Sequence, residues 1–400
     1  MNAPTFSDWA LLFLQGLYRA QVALSRVLHA IGLTGDADGQ PAWPWARRIA
    51  LETLRIDAGL TRQLAFAVAA TTLAAVLACI ALALRKRRVA SALAVLAVLA
   101  ALAVAWFAPW PPASLWLSPA VPTSFQRDPA PFSVSNVMRG AHLYAQHCVA
   151  CHGVDGRGEG PLAATLPHWP PTFAGALLAR RLDGELFWRV RHGTRDERGM
   201  PTMPGFAATL GPRDTWAVLD YLKALAAGSG AQAEGAWPVP VPLPALDVRC
   251  GSAAPQPLDR WRAGQRVRIV ALAPGAPPPP EDARWQTLLV TASGTPMAQT
   301  AGTARADCVA STPDAWLAFA TIAGVAPAAL GGTQLLADRR GWLRARALPG
   351  SAGWSDADLL CRSDATARPA VPAANGDALT ALLLRVDTEP VRDVQAGLPH

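Results

Sequence analysis

The sequence predicts a multi-domain chain: a transmembrane helical hairpin, then an all-α domain, then an α/β domain. Three observations predict it. Two apolar runs, Leu64 to Leu84 and Val89 to Ala108, each offer about the 20 residues that a bilayer-spanning helix needs. Two stretches rich in proline and small residues, 111–132 and 228–245, read as linkers and divide the rest of the chain. Between those linkers the segment 133–227 reads as helices, whereas 246–400 mixes strands with helices.

The composition agrees with a membrane part. The chain is 51% hydrophobic with a mean hydropathy of +0.19, high for 400 residues. Its net charge of +7 is unevenly placed: residues 1–90 hold ten Lys or Arg against five Asp or Glu, so +5 of the excess lies in and beside the apolar segments. Basic residues flanking apolar spans orient them in a bilayer. No basic, aromatic-laced module accompanies that charge, which excludes nucleic acid as the expected partner. Arg85–Arg88, the run RKRR between the two spans, is expected to stay cytoplasmic, so that everything after Trp110 lies outside the cytoplasm. Trp106, Trp110 and Trp116 suit the interfacial aromatic belt.

The region 1–60 contains one long predicted helix, Asp8 to Leu33. Gln15, Arg19, Arg26 and His29 fall on one side at helical spacing, opposite Leu12, Leu24 and Leu28. That pattern suits an interfacial amphipathic helix or a third, polar-striped crossing. The start lacks the basic n-region and small-residue cleavage site of a signal peptide. Cys79, inside the first span, reads as a small apolar residue.

The second domain carries the chemistry. Cys148 and Cys151 stand three apart with His152 next, in YAQHCVACHG. A zinc site wants a second pair of ligands, and Cys250, Cys308 and Cys361 are isolated singles. A thioredoxin-type pair opens a helix after a strand, but the residues before Cys148 read as a helix ending at the pair. The remaining chemistry for C-x-x-C-H is c-type haem attachment: two thiols reach the porphyrin vinyl groups and His152 lies under the iron. Methionine is the usual second axial ligand, and ERGMPTMPGF supplies Met200 and Met203. A final helix follows, with Trp216, Leu219 and Leu222 on one face.

RGAHLYAQHCVACHG, GRGEGPLA, MPGF and WAVLDYL together resemble a class I cytochrome c domain, over roughly Ser133 to Ala227. The resemblance implies a first helix crossing the last one, with Gly140 and Tyr144 meeting Trp216 and Tyr221. It implies Met203 as the distal ligand, because MPGF leads directly into the last helix. It also implies that Pro161 orients His152 by accepting from Nδ1. More narrowly, linker and cytochrome resemble the cytochrome segment fused to copper-resistance D-type membrane proteins, without their many spans. His142, His147, His168 and His192 read as structural, with His192 closest in expectation to a haem propionate.

The last domain, 246–400, shows strands at Arg266–Pro274 and Trp285–Ser293, a helix capped by Thr312, and a hairpin turning at Asp338–Gly341. A short helix in WSDADLL comes next. The order resembles a degenerate thioredoxin-like domain, because GTPMAQT, where that family keeps its active cysteines, has none. Two of Cys250, Cys308 and Cys361 could pair in an oxidising compartment. The chain is thus expected to be a mono-haem electron carrier with redox-protein partners, anchored in the bacterial cytoplasmic membrane with its cytochrome and C-terminal domains in the periplasm, and not itself an enzyme. A thiol- or copper-handling reductase and a haem subunit of a larger oxidase or dehydrogenase stand as alternatives.

Overall fold

The structure is a computed structural model and describes residues 6–83, 88–175, 177–292, 308–351, 354–361, 377–389, 391, 394–395 and 398–399. Arg85 to Arg87 and the GTPMAQT turn lie outside the described residues. Two units emerge, one over 1–125 and one over 126–395 apart from a few residues at the C-terminus.

In the first unit, α1 (Phe6–Ala30), α2 (Ala58–Ala83) and α3 (Arg88–Phe107) are the long helices. Among the described residues α2 alone is both long and apolar enough to cross a membrane, and a shorter apolar stretch, Ala94–Phe107, lies within α3. Their apolar side chains point outward: Phe66, Leu73, Leu77, Ile80, Leu96 and Leu102 are exposed. The helix α1 departs from its expected polarity. Gln15, from the expected polar side, is buried, whereas Leu12 and Leu24, from the apolar side, are exposed. The inward face is instead Leu14, Tyr18, Gln21 and Ser25. The reason is local: the Gln21 side chain accepts a hydrogen bond from the Ile49 main chain at 2.9 Å, so a polar residue is used to hold the following segment. Trp110 and Trp116 stack at 6.3 Å.

The second unit starts with α4 (Val134–His147), capped by Ser133, whose hydroxyl accepts from the Asn136 amide at 3.2 Å. One turn, α5 (Val149–His152), carries the second cysteine and the histidine. Then come α6 (Asp183–His192), a small antiparallel pair β1 (Thr194–Arg195) and β2 (Pro201–Met203), and α7 (Pro212–Ala233). α4 crosses α7 at Gly140, where a Cβ would stand 2.0 Å from the Ala217 carbonyl oxygen. Only glycine permits that approach. Tyr144 and Tyr221 meet beside it at 5.2 Å, and Trp216 stacks on Phe187 of α6 at 4.6 Å.

The C-terminal part is a mixed seven-stranded sheet. Its strands are β3 (Asp247–Cys250), β4 (Gln256–Pro257), β5 (Val267–Ala271), β6 (Gln286–Val290), β7 (Cys308–Ala310), β8 (Gln334–Ala337) and β9 (Leu343–Ala347). They run in the order β9-β8-β5-β6-β7-β3-β4. The central β5, β6 and β7 are parallel and the flanking pairs antiparallel. β5 is buried along its whole length, as expected for a strand covered on both faces. α8 (Pro313–Ala323) packs beside the sheet, capped by Thr312 as expected, whose hydroxyl accepts from the Ala315 amide at 3.1 Å. The hairpin turns at Asp338–Gly341, where Asp338 accepts from the amides of Arg340 and Trp342 at 2.9 Å each. Cys250 and Cys308 sit opposite each other on β3 and β7 and are disulfide-bonded, which settles the pairing; Cys361 is buried and unbonded. The short helix expected in WSDADLL is a single 3-10 turn, Asp356–Asp358.

The segment 228–245 is not a free linker. α7 continues into it as far as Ala233, and Gly228 lies against Gly324, the residue that ends α8, where a Cβ would meet the Thr321 carbonyl oxygen at 2.1 Å. Beyond the helix the chain is stitched down by Trp237 N–H to Leu360 O, Leu243 N–H to Gly341 O and Ala245 N–H to Phe132 O, at 3.0, 2.7 and 2.9 Å. One core holds Val134 and Val137 of α4, Ala224 and Ala227 of α7, and Ile269, Leu288 and Phe319 of the sheet domain. The small residues that make the segment look like a linker are those that let two helices touch.

Candidate haem site

Cys148, Cys151 and His152 end α4 and form α5. The His152 amide bonds the Cys148 carbonyl at 2.9 Å, and the loop folds back so that Gly158 N–H reaches the His152 carbonyl, also at 2.9 Å. Tyr144 donates to the Gly153 carbonyl at 2.7 Å, fastening this loop to α4. Burial raises the Tyr144 pKa, so the phenol stays a donor. Burial, and secondarily the neighbouring Cys151, pushes the Cys148 thiol up to about 11.

Met203 is delivered by a separate segment, the small antiparallel pair β1 and β2. β1 and β2 pair Thr194 with Met203, and the Thr194 and Thr202 hydroxyls bond at 2.8 Å. Gly193 has φ +76° and sits where a Cβ would fall 2.4 Å from the Met203 carbonyl oxygen. Phe206 and Ala207 return amide bonds to Val190 and Arg191 at 3.0 and 2.9 Å. The RHGT and MPGF segments therefore clamp one another. Met200 is at the far turn of this hairpin, 59% exposed, with its amide on Asp196.

These elements enclose a cavity of about 850 Å³, a size usual for cofactor sites. Cys148, Cys151, His152 and Met203 all line it; Met200 does not. Leu178, Val190, Leu219 and Leu222 supply an apolar wall. His152 stacks on Phe173 at 5.0 Å, a partner that the sequence did not flag. Its pKa is lowered by burial, opposed by the Pro171 carbonyl. Its Nδ1 is nevertheless buried without a well-formed hydrogen bond. The expected contact from Pro161 is not made: Pro161 is exposed and outside the cavity lining, because the loop turns it outward beyond Gly160.

Of the other histidines, His168 reaches the cavity mouth. His142 bonds Gln146 at 3.0 Å, His147 packs on Phe206 at 6.0 Å, and His192 lies on Trp188 at 3.7 Å outside the cavity. Two thiols, a half-buried imidazole and a thioether lining one mostly apolar cavity form a donor set that fits haem c.

Residues 135–222 match the family described as cytochrome c oxidase, cbb3-type, subunit III. The segment is therefore a c-type cytochrome domain, which implies haem c and a role in electron transfer with redox partners. Among solved structures, a chain of the Kuenenia stuttgartiensis reducing HAO-like protein complex is similar at 24% identity. The match covers 27% of this chain and 51% of that one, with a TM-score of 0.23. This chain thus spans about half the length of that relative. No curated protein matches.

Proposed function

We propose that the chain is a membrane-anchored, mono-haem c-type cytochrome that passes single electrons at the periplasmic face of the cytoplasmic membrane. The observation that carries this reading is the one cavity faced by Cys148, Cys151, His152 and Met203. Cys148 and Cys151 would hold one haem through thioethers, and His152 and Met203 would ligate its iron. The group supplies reversible one-electron chemistry. The chain's own part would be to present His152 and Met203 to the iron and to surround the group with Leu178, Val190, Leu219 and Leu222. With His152 and Met203 both supplied to it, the iron would offer no place to a substrate, and on that ground the chain is read as a carrier and not an enzyme.

Anchoring is supported by the apolar length of α2 and the outward leucines of α1, α2 and α3. The four cations at Arg85–Arg88 would face the cytoplasm. The C-terminal part, read as a degenerate thioredoxin-like module, would dock partners: Cys250 and Cys308 are tied to each other and Cys361 is buried, so no accessible dithiol is present among the described residues of that part. A second reading, the haem subunit of a larger oxidoreductase, is favoured by the description of the matching family.

The test is a redox titration of the detergent-solubilised protein. A c-type reduced spectrum that titrates as one single-electron centre is expected; no such spectrum, or two centres, would overturn the reading. Subunits that co-purify in detergent would select the second reading.

A further inference from the structure

The cavity wall holds two cations that neither the thioether pair nor the axial ligands use. Arg181 and Arg189 both line the cavity and are both half-buried. Arg189 lies on α6, and Arg181 sits two residues before that helix begins. No ion pair to either guanidinium occurs among the described residues. The two arginines repel each other, and burial together with that repulsion lowers the Arg189 pKa, opposed by Glu185 one turn earlier. Two partly desolvated like charges are costly unless an anion sits between them. The other arginines of the lining differ: Arg195 and Arg198 are exposed, with Asp196 and Glu197 between them, and Arg195 already donates to the Gly199 carbonyl at 2.8 Å. His192, on the same helix as Arg189, faces away onto Trp188.

We propose that Arg181 and Arg189 form a paired clamp for the two propionate carboxylates of the haem, fixing its in-plane orientation and offsetting its negative charge. The clamp rests on the haem reading of the cavity. Guanidinium groups suit it because their planar forks bind carboxylates through two parallel N–H···O bonds. Both are positioning residues. Their effect reaches the iron through charge: propionates held by cations favour the oxidised iron less than free propionates do.

The test uses the haem-loaded full chain in detergent, as Arg181→Gln, Arg189→Gln, the double variant and Arg189→Lys. Covalent haem per chain and the midpoint potential as a function of pH are measured for each. The glutamine variants are expected to keep their haem, to shift the oxidised-to-reduced ratio several-fold toward oxidised at fixed potential, and to gain a pH dependence near neutrality as the released propionates titrate. The double variant should exceed either single one. Arg189→Lys, which keeps the charge but lacks the fork, should fall between the parent and Arg189→Gln. Full haem content with potential–pH curves that superimpose on the parent's would overturn the clamp and leave the haem reading intact. Absence of haem from the parent would overturn both. If a glutamine variant loses haem loading, recovery in Arg189→Lys supports the clamp and loss there too counts against it.

Discussion

Met200 and Met203 are three residues apart, and the hairpin between Thr194 and Met203 separates them. Met203 faces the cavity and Met200 the solvent. Met203→Ala should therefore abolish the sulfur–iron charge-transfer absorption of the oxidised protein and lower its potential, while Met200→Ala keeps both. Loss of the band in Met200→Ala alone would reverse the assignment. Asp220 gives a second prediction. It is 4% exposed on α7 and accepts from Asn136 at 3.3 Å. Burial raises its pKa to about 7, with Asp128 and Asp183 acting the same way and Lys223 and Asn136 against. Between the ordinary carboxylate pKa and about 7 the folded chain holds a proton that the unfolded chain has released. Stability should therefore fall as pH rises through that window, by at most about 1.4 kcal/mol per pH unit. Asp220→Asn should flatten that slope and be the more stable protein at pH above 7, by roughly 1–3 kcal/mol. Denaturation of both proteins across pH checks it, and parallel slopes would contradict it.

The helices and turns show what the sequence makes legible. The Thr312 cap and the Asp338–Gly341 turn depend on residues close in sequence, and each is found where the sequence puts it; Cys148, Cys151, His152 and Met203, also named from short motifs, line one cavity. Gly140 also lies at its expected crossing, and Gly140→Ala should destabilise the domain by about 3 kcal/mol or more, since the Ala217 carbonyl oxygen stands 2.0 Å from the new Cβ. A melting temperature unchanged in that variant would show that α4 and α7 can separate without cost. The misses have a common cause. The exposed leucines of α1, the outward Pro161 and the arginine pair depend on which surfaces a distant segment covers. His152 stacking on Phe173, 21 residues later, left no local signal beyond an aromatic in a proline-rich loop.

At the scale of the whole molecule, the cytochrome and the sheet domain share one core, so the segment 228–245 transmits stability and does not act as a hinge. Arg346 of β9 reinforces this by donating to the Ala231 carbonyl of α7 and the Ala323 carbonyl of α8. Denaturant should unfold 126–395 in one transition by haem absorbance and by tryptophan fluorescence; two separated transitions would mean independent domains. Composition hid this unit, because glycine and alanine serve equally in a flexible tether and at a tight helix contact. The central claim is that Cys148 and Cys151 carry covalent haem, and acid-acetone extraction tests it most directly. Haem should stay with the parent protein and be absent from the Cys148→Ser, Cys151→Ser double variant. Haem that extracts freely from the parent would contradict the claim.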